Sequence, residues 1–152
     1  MLSVGREKVA KRNLTDRITL VQGDSEQLPF ADETFDAVTV GFGVRNFEDL
    51  EKGLSEIKRV LKPNGRLVVL ETSVPEKFPF KQGYHLYTNY VMPLVGKLFS
   101  KDRSAYRYLS NSAIHFPYGK KFQKILDKVG YQHTSYHPKT LGGVATIYIA
   151  NK

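Results

Sequence analysis

Two apolar runs of strand type flank a segment of helical spacing, and this arrangement limits the fold more than any other feature of the chain. The runs cover residues 35–40 and 66–71. Between them, apolar side chains recur at helical intervals: Leu50, Leu54, Ile57 and Leu61. The second run is almost continuously apolar, as in a parallel strand that helices cover on both faces. A strand, a helix and a strand joined by short turns predict an α/β fold with a parallel sheet and right-handed crossovers.

Local signals place further elements before and within this unit. Residues 3–12 predict a short polar helix, and the β-branched run at 18–21 predicts a strand. We expect Asn46 to cap the crossover helix, because its side chain can accept a hydrogen bond from a free backbone N–H group. The turn sequence KPNG at 62–65 is expected to end that helix.

The later part of the chain departs from the simple alternation. Residues 74–118 break it with a long stretch that we interpret as a helical insertion, kinked at Pro93. Residues 120–129 then predict a helix closed by glycine, and two last strands around 131–137 and 144–150 predict a hairpin. With 152 residues, 41% of them hydrophobic, we expect a single domain over 1–152.

The insertion is also the most basic and aromatic part of the chain. Residues 74–122 hold eight of the 23 Lys and Arg residues against only two acidic ones, and 11 of the 18 Phe and Tyr residues. Such a segment fits a lid over an apolar substrate, a patch on a membrane surface, or ordinary core packing. Interleaved basic and aromatic residues also bind single-stranded nucleic acid, so an RNA-directed enzyme stays as an alternative, although no nucleic-acid partner is expected.

Several classes of protein are disfavoured by composition. The chain has no cysteine, which excludes disulfides and thiolate metal sites. His133 and His137 would lie roughly 13 Å apart along a strand, too far to share an ion, and we expect no metal. No stretch approaches the ~20 apolar residues that span a bilayer. We therefore expect a cytoplasmic protein, with a peripheral position at the inner face of the membrane as an alternative.

Polar or glycine chemistry follows each predicted strand, where open α/β sheets bind their ligands. Asp24 and Ser25 follow the first strand, residues 41–46 the second and residues 71–73 the third. A carboxylate such as Asp24 can accept from an adenine amino group or a ribose hydroxyl, although a plain turn is the commoner meaning of that sequence. Glycines at 41 and 43 allow close approach of a ligand, and Arg45 can place a fixed cation there.

Three sequence blocks together carry a family resemblance. They are GDSEQLPF at 23–30, FGVRN at 42–46 and RVLKPNGRLVVLETS at 59–73. The first block is common among S-adenosylmethionine enzymes, whereas the second and third together are specific. Along its whole length the chain resembles the quinone-biosynthesis C-methyltransferases of the UbiE/MenG/COQ5 family. The resemblance implies a Rossmann-like class I methyltransferase fold, with S-adenosylmethionine as cofactor and a prenylated demethylquinol as substrate.

The same resemblance implies roles for single residues. Asp24 and Ser25 match positions that meet the adenine, and Gly41 matches a cofactor-contacting position. Arg45 and Asn46 match the proposed catalytic pair. The ETS ending is closer to the menaquinone branch, which converts demethylmenaquinol to menaquinol. Asn64 stands where the family usually has glycine, and asparagine tolerates the left-handed conformation that such a turn needs.

The resemblance also implies that something is missing from the start of the domain. Family members begin with a strand and a glycine-rich loop that holds the amino-acid end of the cofactor, and nothing before Asp24 matches that loop. Met1 matches a position inside the family's domain, so we expect a partial domain, incomplete at the N-terminus. An inactive fragment, or a subunit completed by another chain, is therefore the alternative to an active enzyme. A homodimer is a further expectation.

Overall fold

The chain folds around one mixed sheet, seen in a computed structural model that describes residues 2–75, 78–91, 116–139 and 143–152. The described residues form the strands β1 (Phe35–Gly41), β2 (Leu61–Thr72), β3 (Gln132–Lys139) and β4 (Ala145–Asn151). Their order across the sheet is β1-β2-β4-β3. β1 and β2 run parallel, whereas β4 is antiparallel to both of its neighbours. The predicted crossover unit and the predicted closing hairpin are both confirmed.

The helices are α1 (Leu2–Lys11), α2 (Leu50–Val60), α3 (Phe80–Leu86) and α4 (Lys120–Val129). α2 is the crossover helix between the parallel strands, and α4 precedes the hairpin. α4 ends at Gly130, which adopts the left-handed conformation with φ 91° as expected for a glycine at that position. α1 buries none of its residues.

The predicted cap of α2 is wrong. Asn46 does not cap the helix, because the chain first makes a short 3-10 turn over Val44–Asn46 and then becomes extended at Phe47. The helix therefore begins at Leu50, and Asp49 is its cap, with the carboxylate accepting from Lys52 N at 3.0 Å. The capping chemistry is of the predicted kind but lies three residues later along the chain.

The predicted strand at 18–21 is also wrong. These residues form no strand, and Ile18 and Val21 remain 41% and 49% exposed. β-branched residues favour a strand only where a neighbouring strand completes the hydrogen-bond ladder and a packed face buries them. Among the described residues, no strand pairs with this segment, and its backbone stays irregular.

The turn at 62–65 lies inside β2 rather than before it. Helix α2 already ends at Val60, and Leu61 opposes Phe35 on β1 before the register shifts. The register shift accommodates the extra residues of the turn at 62–65. Regular pairing resumes between Ala37 and Arg66. Asn64 has φ 63°, so the left-handed conformation expected of it is confirmed.

The core lies between the sheet and the pair of helices α2 and α4. It is built from aliphatic and aromatic side chains of all these elements: Leu54, Ile57, Leu67, Val69, Phe122, Leu126 and Tyr148. Tyr131 adds a polar tie, because its buried hydroxyl donates to the Leu54 carbonyl oxygen at 3.0 Å. Burial raises the pKa of this phenol, which therefore stays protonated. α2 and α4 are thus held on one face of the sheet, which fixes the crossover.

The start of the predicted insertion is helical. α3 continues into a π-helical turn over Tyr87–Val91, and neither stretch contributes to the core. Phe78 is 80% exposed and Tyr90 is 71% exposed. The expected kink at Pro93 lies outside the described residues. Across the part of the chain that is described, no helix has the length and apolar character needed to cross a membrane.

Candidate active site at the ends of two strands

The carboxyl ends of β1 and β2 lie side by side and bring two of the sequence blocks together. Gly41 pairs with Leu70 in the parallel register, and Phe42 N donates to the Leu70 carbonyl oxygen at 2.8 Å. This places the turn that follows β1 directly beside Glu71, the next residue of β2. The parallel ladder therefore juxtaposes residues that are about thirty positions apart in the sequence.

Arg45 and Glu71 form an ion pair at this edge. Arg45 Nη1 donates to Glu71 Oε1 at 2.5 Å, with the Arg45 side chain 10% exposed and the Glu71 side chain fully buried. The Arg45 guanidinium carbon also lies 6.0 Å from the centre of the Phe42 ring, within range of a cation–π attraction. Glu71 and Phe42 therefore hold the Arg45 guanidinium in one place, and water does not surround it.

Glu71 is not one of the site residues predicted from the sequence, although residues 71–73 follow the third predicted strand. Its Oε1 accepts from Thr72 N at 2.8 Å and Thr72 Oγ1 at 3.2 Å, in addition to Arg45. Its Oε2 is buried and has no hydrogen-bond partner in the described part of the chain. A carboxylate at the end of an otherwise apolar strand must find a partner when it is buried. This sequence feature could have identified Glu71 as a site residue.

Gly41 and the residues after it form the open side of this edge. A Cβ atom at Gly41 would meet no atom within 4 Å in the part of the chain that the structure describes. Phe42 adopts φ 52° and leaves its side chain 45% exposed. The 3-10 turn then buries Val44 and directs Arg45 toward Glu71. The close approach expected at Gly41 is thus sterically available.

Asn46 closes the turn. Its backbone N–H donates to the Gly43 carbonyl oxygen at 3.0 Å. Its side-chain Nδ2 donates to the Phe42 carbonyl oxygen at 3.5 Å, which is a long contact. Asn46 therefore sits beside Arg45 at the same strand end, as the sequence motif led us to expect.

Asp24 and Ser25 lie in a separate loop. Asp24 Oδ1 accepts from Glu26 N at 2.9 Å, which is the local turn that this sequence most commonly forms. The loop is anchored to the start of α2, because Glu26 Oε1 accepts from Asp49 N at 2.8 Å. Asp24 and Arg45 share no hydrogen bond within the described residues, and the loop of Asp24 is instead held to α2.

A buried polar cluster backs the strand ends. Ser73 Oγ lies 2.7 Å from Thr146 Oγ1 and donates to the Gly143 carbonyl oxygen at 2.5 Å. Burial raises the pKa of the neighbouring Tyr148 phenol, and the charge of Glu71 raises it further. The cluster therefore stays neutral behind the Arg45–Glu71 pair and holds β2 against β4.

The chain matches known proteins along its whole length. Residues 1–152 match the family described as the ubiE/COQ5 methyltransferase family. The chain is 47% identical to a demethylmenaquinone methyltransferase of Bacteroides fragilis and 49% identical to one of Bacillus pumilus, in both cases over all of its residues. It spans 62% and 64% of the length of these two relatives.

Solved structures share the fold at low sequence identity. A SAM-dependent methyltransferase from Thermotoga maritima is 19% identical, with a TM-score of 0.63 over 96% of this chain and 70% of that protein. A phosphoethanolamine N-methyltransferase 2 from Haemonchus contortus, solved with S-adenosylhomocysteine, is 17% identical, with a TM-score of 0.69 over 100% of this chain and 41% of that one. The α/β fold described above is the Rossmann-like methyltransferase fold.

Proposed function

Because this chain belongs to the ubiE/COQ5 methyltransferase family, we propose that its protein transfers a methyl group from S-adenosylmethionine to a ring carbon of a prenylated demethylquinol, converting demethylmenaquinol to menaquinol. The observation that carries the proposal is the fixed Arg45 cation, paired with Glu71, beside the open strand end at Gly41. The relatives named above as demethylmenaquinone methyltransferases support the choice of substrate.

The residues at the strand ends fit S-adenosylmethionine in part. The open space above Gly41 admits close approach of a ligand to the backbone. Asp24 offers a carboxylate to the adenine or ribose, and Ser25 offers its backbone N–H to a ring nitrogen. When bound, the cofactor supplies a sulfonium methyl group that is already reactive, so the protein mainly has to align the acceptor.

We assign Arg45 the role of stabilising the negative charge that develops on the acceptor oxygen. A ring carbon becomes nucleophilic as the neighbouring hydroxyl loses its proton, and a guanidinium held close to that oxygen lowers the energy of the developing phenolate. Pairing with Glu71 keeps the guanidinium in place before the acceptor arrives. Asn46 is assigned the second place in this catalytic pair, next to Arg45 on the same turn.

The test is a methyl-transfer assay on the full-length protein with labelled S-adenosylmethionine and a short-chain demethylmenaquinol. We expect a methylated quinol from the wild type, and about 100-fold less turnover from Arg45→Ala. Arg66→Ala is the matched control, because Arg66 is exposed in the middle of β2, five residues before Glu71, and its side chain donates to Asn151 Oδ1 at 3.4 Å. No methylated quinol from the wild type, or unchanged turnover in Arg45→Ala, would overturn the assignment.

Calorimetric titration with S-adenosylmethionine distinguishes an active enzyme from an inactive fragment or a subunit that another chain completes. An autonomous enzyme binds the cofactor in the micromolar range typical of enzyme substrates. Absence of binding would favour an inactive protein, or a subunit that needs another chain to complete its cofactor site.

We further propose a peripheral membrane contact through residues 78–91, through which the prenylated substrate is collected. Its support is a set of apolar side chains that remain exposed beside Lys81: Phe78, Phe80, Leu86, Tyr87, Tyr90 and Val91. Co-sedimentation with vesicles of phosphatidylglycerol tests this contact, and the combined variant Phe78→Ser and Leu86→Ser should release the protein from the vesicles.

The expected homodimer is a separate proposal. Light scattering on the same samples tests it.

A further inference from the structure

Within the described part of the chain, the carboxylate of Glu71 is hydrogen-bonded through one oxygen only. Its Oε1 accepts three hydrogen bonds, two from Thr72 and one from Arg45, whereas its Oε2 accepts none from the described residues. Arg45 Nε is likewise buried without a partner there. The pair is therefore joined through a single contact between Nη1 and Oε1, and it forgoes the second hydrogen bond that such pairs commonly make.

This arrangement is costly as a purely stabilising feature. A buried ion pair recovers its desolvation penalty only when the remaining polar atoms are also satisfied. Among the described residues, one donor and one acceptor of this pair are left without a partner, at the strand end where the sequence motif lies. Incompletely satisfied buried groups in a folded protein call for an explanation beyond packing.

Glu71 is also held by groups other than Arg45. Both hydrogen bonds from Thr72 are local and hold the Oε1 atom from its own strand. Arg45 is then located from two sides, by the Glu71 carboxylate and by the Phe42 ring. Only the 10% of the Arg45 side chain that is exposed remains available to a ligand.

We propose that Glu71 is a positioning residue for methyl transfer, which holds the Arg45 guanidinium in the orientation that meets the acceptor oxygen. This inference rests on the proposed function of Arg45. It differs from a neutralising role, in which Glu71 would merely lower the positive charge of the site. The two roles predict opposite effects of removing the carboxylate charge: loss of position lowers turnover, whereas loss of neutralisation strengthens the attraction of Arg45 for a developing anion.

Glu71→Gln in the full-length protein separates these roles. We expect kcat to fall about 100-fold, as for a reacting group displaced by about an ångström, while the dissociation constant of S-adenosylmethionine stays within about twofold. Thr72→Val, which removes the Oγ1 contact and keeps the backbone N–H, should give a smaller fall. Arg45→Ala combined with Glu71→Gln should be no slower than Arg45→Ala alone, because Glu71 acts through Arg45.

Ser73→Ala is the matched control, since Ser73 directly follows β2 and its replacement disturbs the buried cluster without touching Arg45. We expect it to lower the melting temperature and to leave kcat unchanged. If Glu71→Gln fails to fold, Thr72→Val and Glu71→Asp carry the test, and both should lower kcat with the cofactor affinity intact.

Three results would overturn the proposal: a kcat for Glu71→Gln equal to or above that of the wild type, equal falls of kcat in Ser73→Ala and Glu71→Gln, or additive losses in the double variant. A wild-type protein that methylates no quinol would instead defeat the proposed function. In that case the positioning can still be read from the Arg45 side-chain signals in NMR, which should broaden in Glu71→Gln and stay sharp in Ser73→Ala.

Discussion

Gly53 of α2 lies directly against the ring of Phe47, so that a Cβ atom at position 53 would overlap Cδ2 and Cε2 of that ring. Phe47 is the extended residue between the 3-10 turn and α2, and it packs against the core. Gly53→Ala must therefore push the ring aside. We expect a loss of about 1–3 kcal/mol in the free energy of unfolding, the usual cost of overpacking, measured by urea denaturation.

The same substitution in α3 provides the control. A Cβ atom at Gly83 would meet none of the described residues within 4 Å, and alanine has the higher helix propensity. Gly83→Ala should leave stability unchanged or raise it by less than about 1 kcal/mol. Equal stability of Gly53→Ala and the wild type would contradict the packing described for Phe47.

Gly41 allows a sharper test of the cofactor site, because its environment is open. Gly41→Ala adds a methyl group that meets no atom of the described residues within 4 Å, so the melting temperature should not change. A ligand that approaches the backbone there would collide with the new methyl group. We expect the dissociation constant for S-adenosylmethionine to rise at least about tenfold, equivalent to about 1.4 kcal/mol, as measured by calorimetry.

Gly83→Ala again serves as the comparison, since it adds a methyl group to an open position on α3. It should bind S-adenosylmethionine as the wild type does. An unchanged dissociation constant in Gly41→Ala would remove Gly41 from the cofactor site, whereas a lowered melting temperature would mean that the position is not open.

Elements with a strong internal pattern could be predicted from the sequence. The helical spacing of α2 and α4 and the apolar runs of β1 and β2 each specify their own structure, because burial of one face or of both faces is encoded locally. The segment at 18–21 has an equally clear β-branched composition, yet it forms no strand. Composition cannot reveal whether a neighbouring strand is there to complete the ladder.

The candidate site could also be predicted only in part. Arg45 and Asn46 belong to one contiguous block, so their proximity to Gly41 follows from the sequence. The partner of Arg45 does not, because Glu71 reaches it only through the parallel register of β1 with β2. The cap of α2 was misplaced for a related reason: both Asn46 and Asp49 suit an N-terminus, and only the buried turn at Val44 decides between them.

Lys58 ties the crossover helix to the end of α4. Its ammonium group donates to the carbonyl oxygens of Val129 and Gly130, at 3.2 and 2.8 Å. These carbonyls lie at the negative end of the α4 dipole, where a cation is stabilising. Lys58→Met keeps the aliphatic stem and should cost about 1–3 kcal/mol in the free energy of unfolding.

Lys52→Met is the matched control on the same helix. The Lys52 ammonium group lies 3.7 Å from Glu26, and its side chain is 60% exposed. Such an exposed pair contributes less than about 1 kcal/mol, so chemical denaturation should barely distinguish this variant from the wild type. A Lys58→Met variant as stable as Lys52→Met would show that the contact with α4 is not stabilising.

Glu56 makes the stability of the fold depend on pH in the acid range. Its two carboxylate oxygens accept from Arg59 Nε and Nη2, each at 2.9 Å, and Oε2 also accepts from Leu28 N at 3.0 Å. These interactions, led by the hydrogen bonds from Arg59, hold the pKa of Glu56 below its usual value. A group whose folded pKa is depressed contributes its full stabilisation above its unfolded pKa, about 4.3, and loses it as the pH falls through the folded pKa.

Glu56→Gln should therefore destabilise the protein at pH 7 by about 1–3 kcal/mol, and the difference from the wild type should shrink below about pH 4, where the wild-type carboxylate takes up its proton. Urea denaturation at a series of pH values measures this difference directly. Glu51→Gln is the comparison, because the pair of Glu51 with Lys128 is exposed, at 46% and 68% of the two side chains, and should contribute less than about 1 kcal/mol at any pH. A difference between Glu56→Gln and the wild type that stayed constant down to pH 3 would mean that the ionised carboxylate is not what anchors the loop at Leu28 to α2.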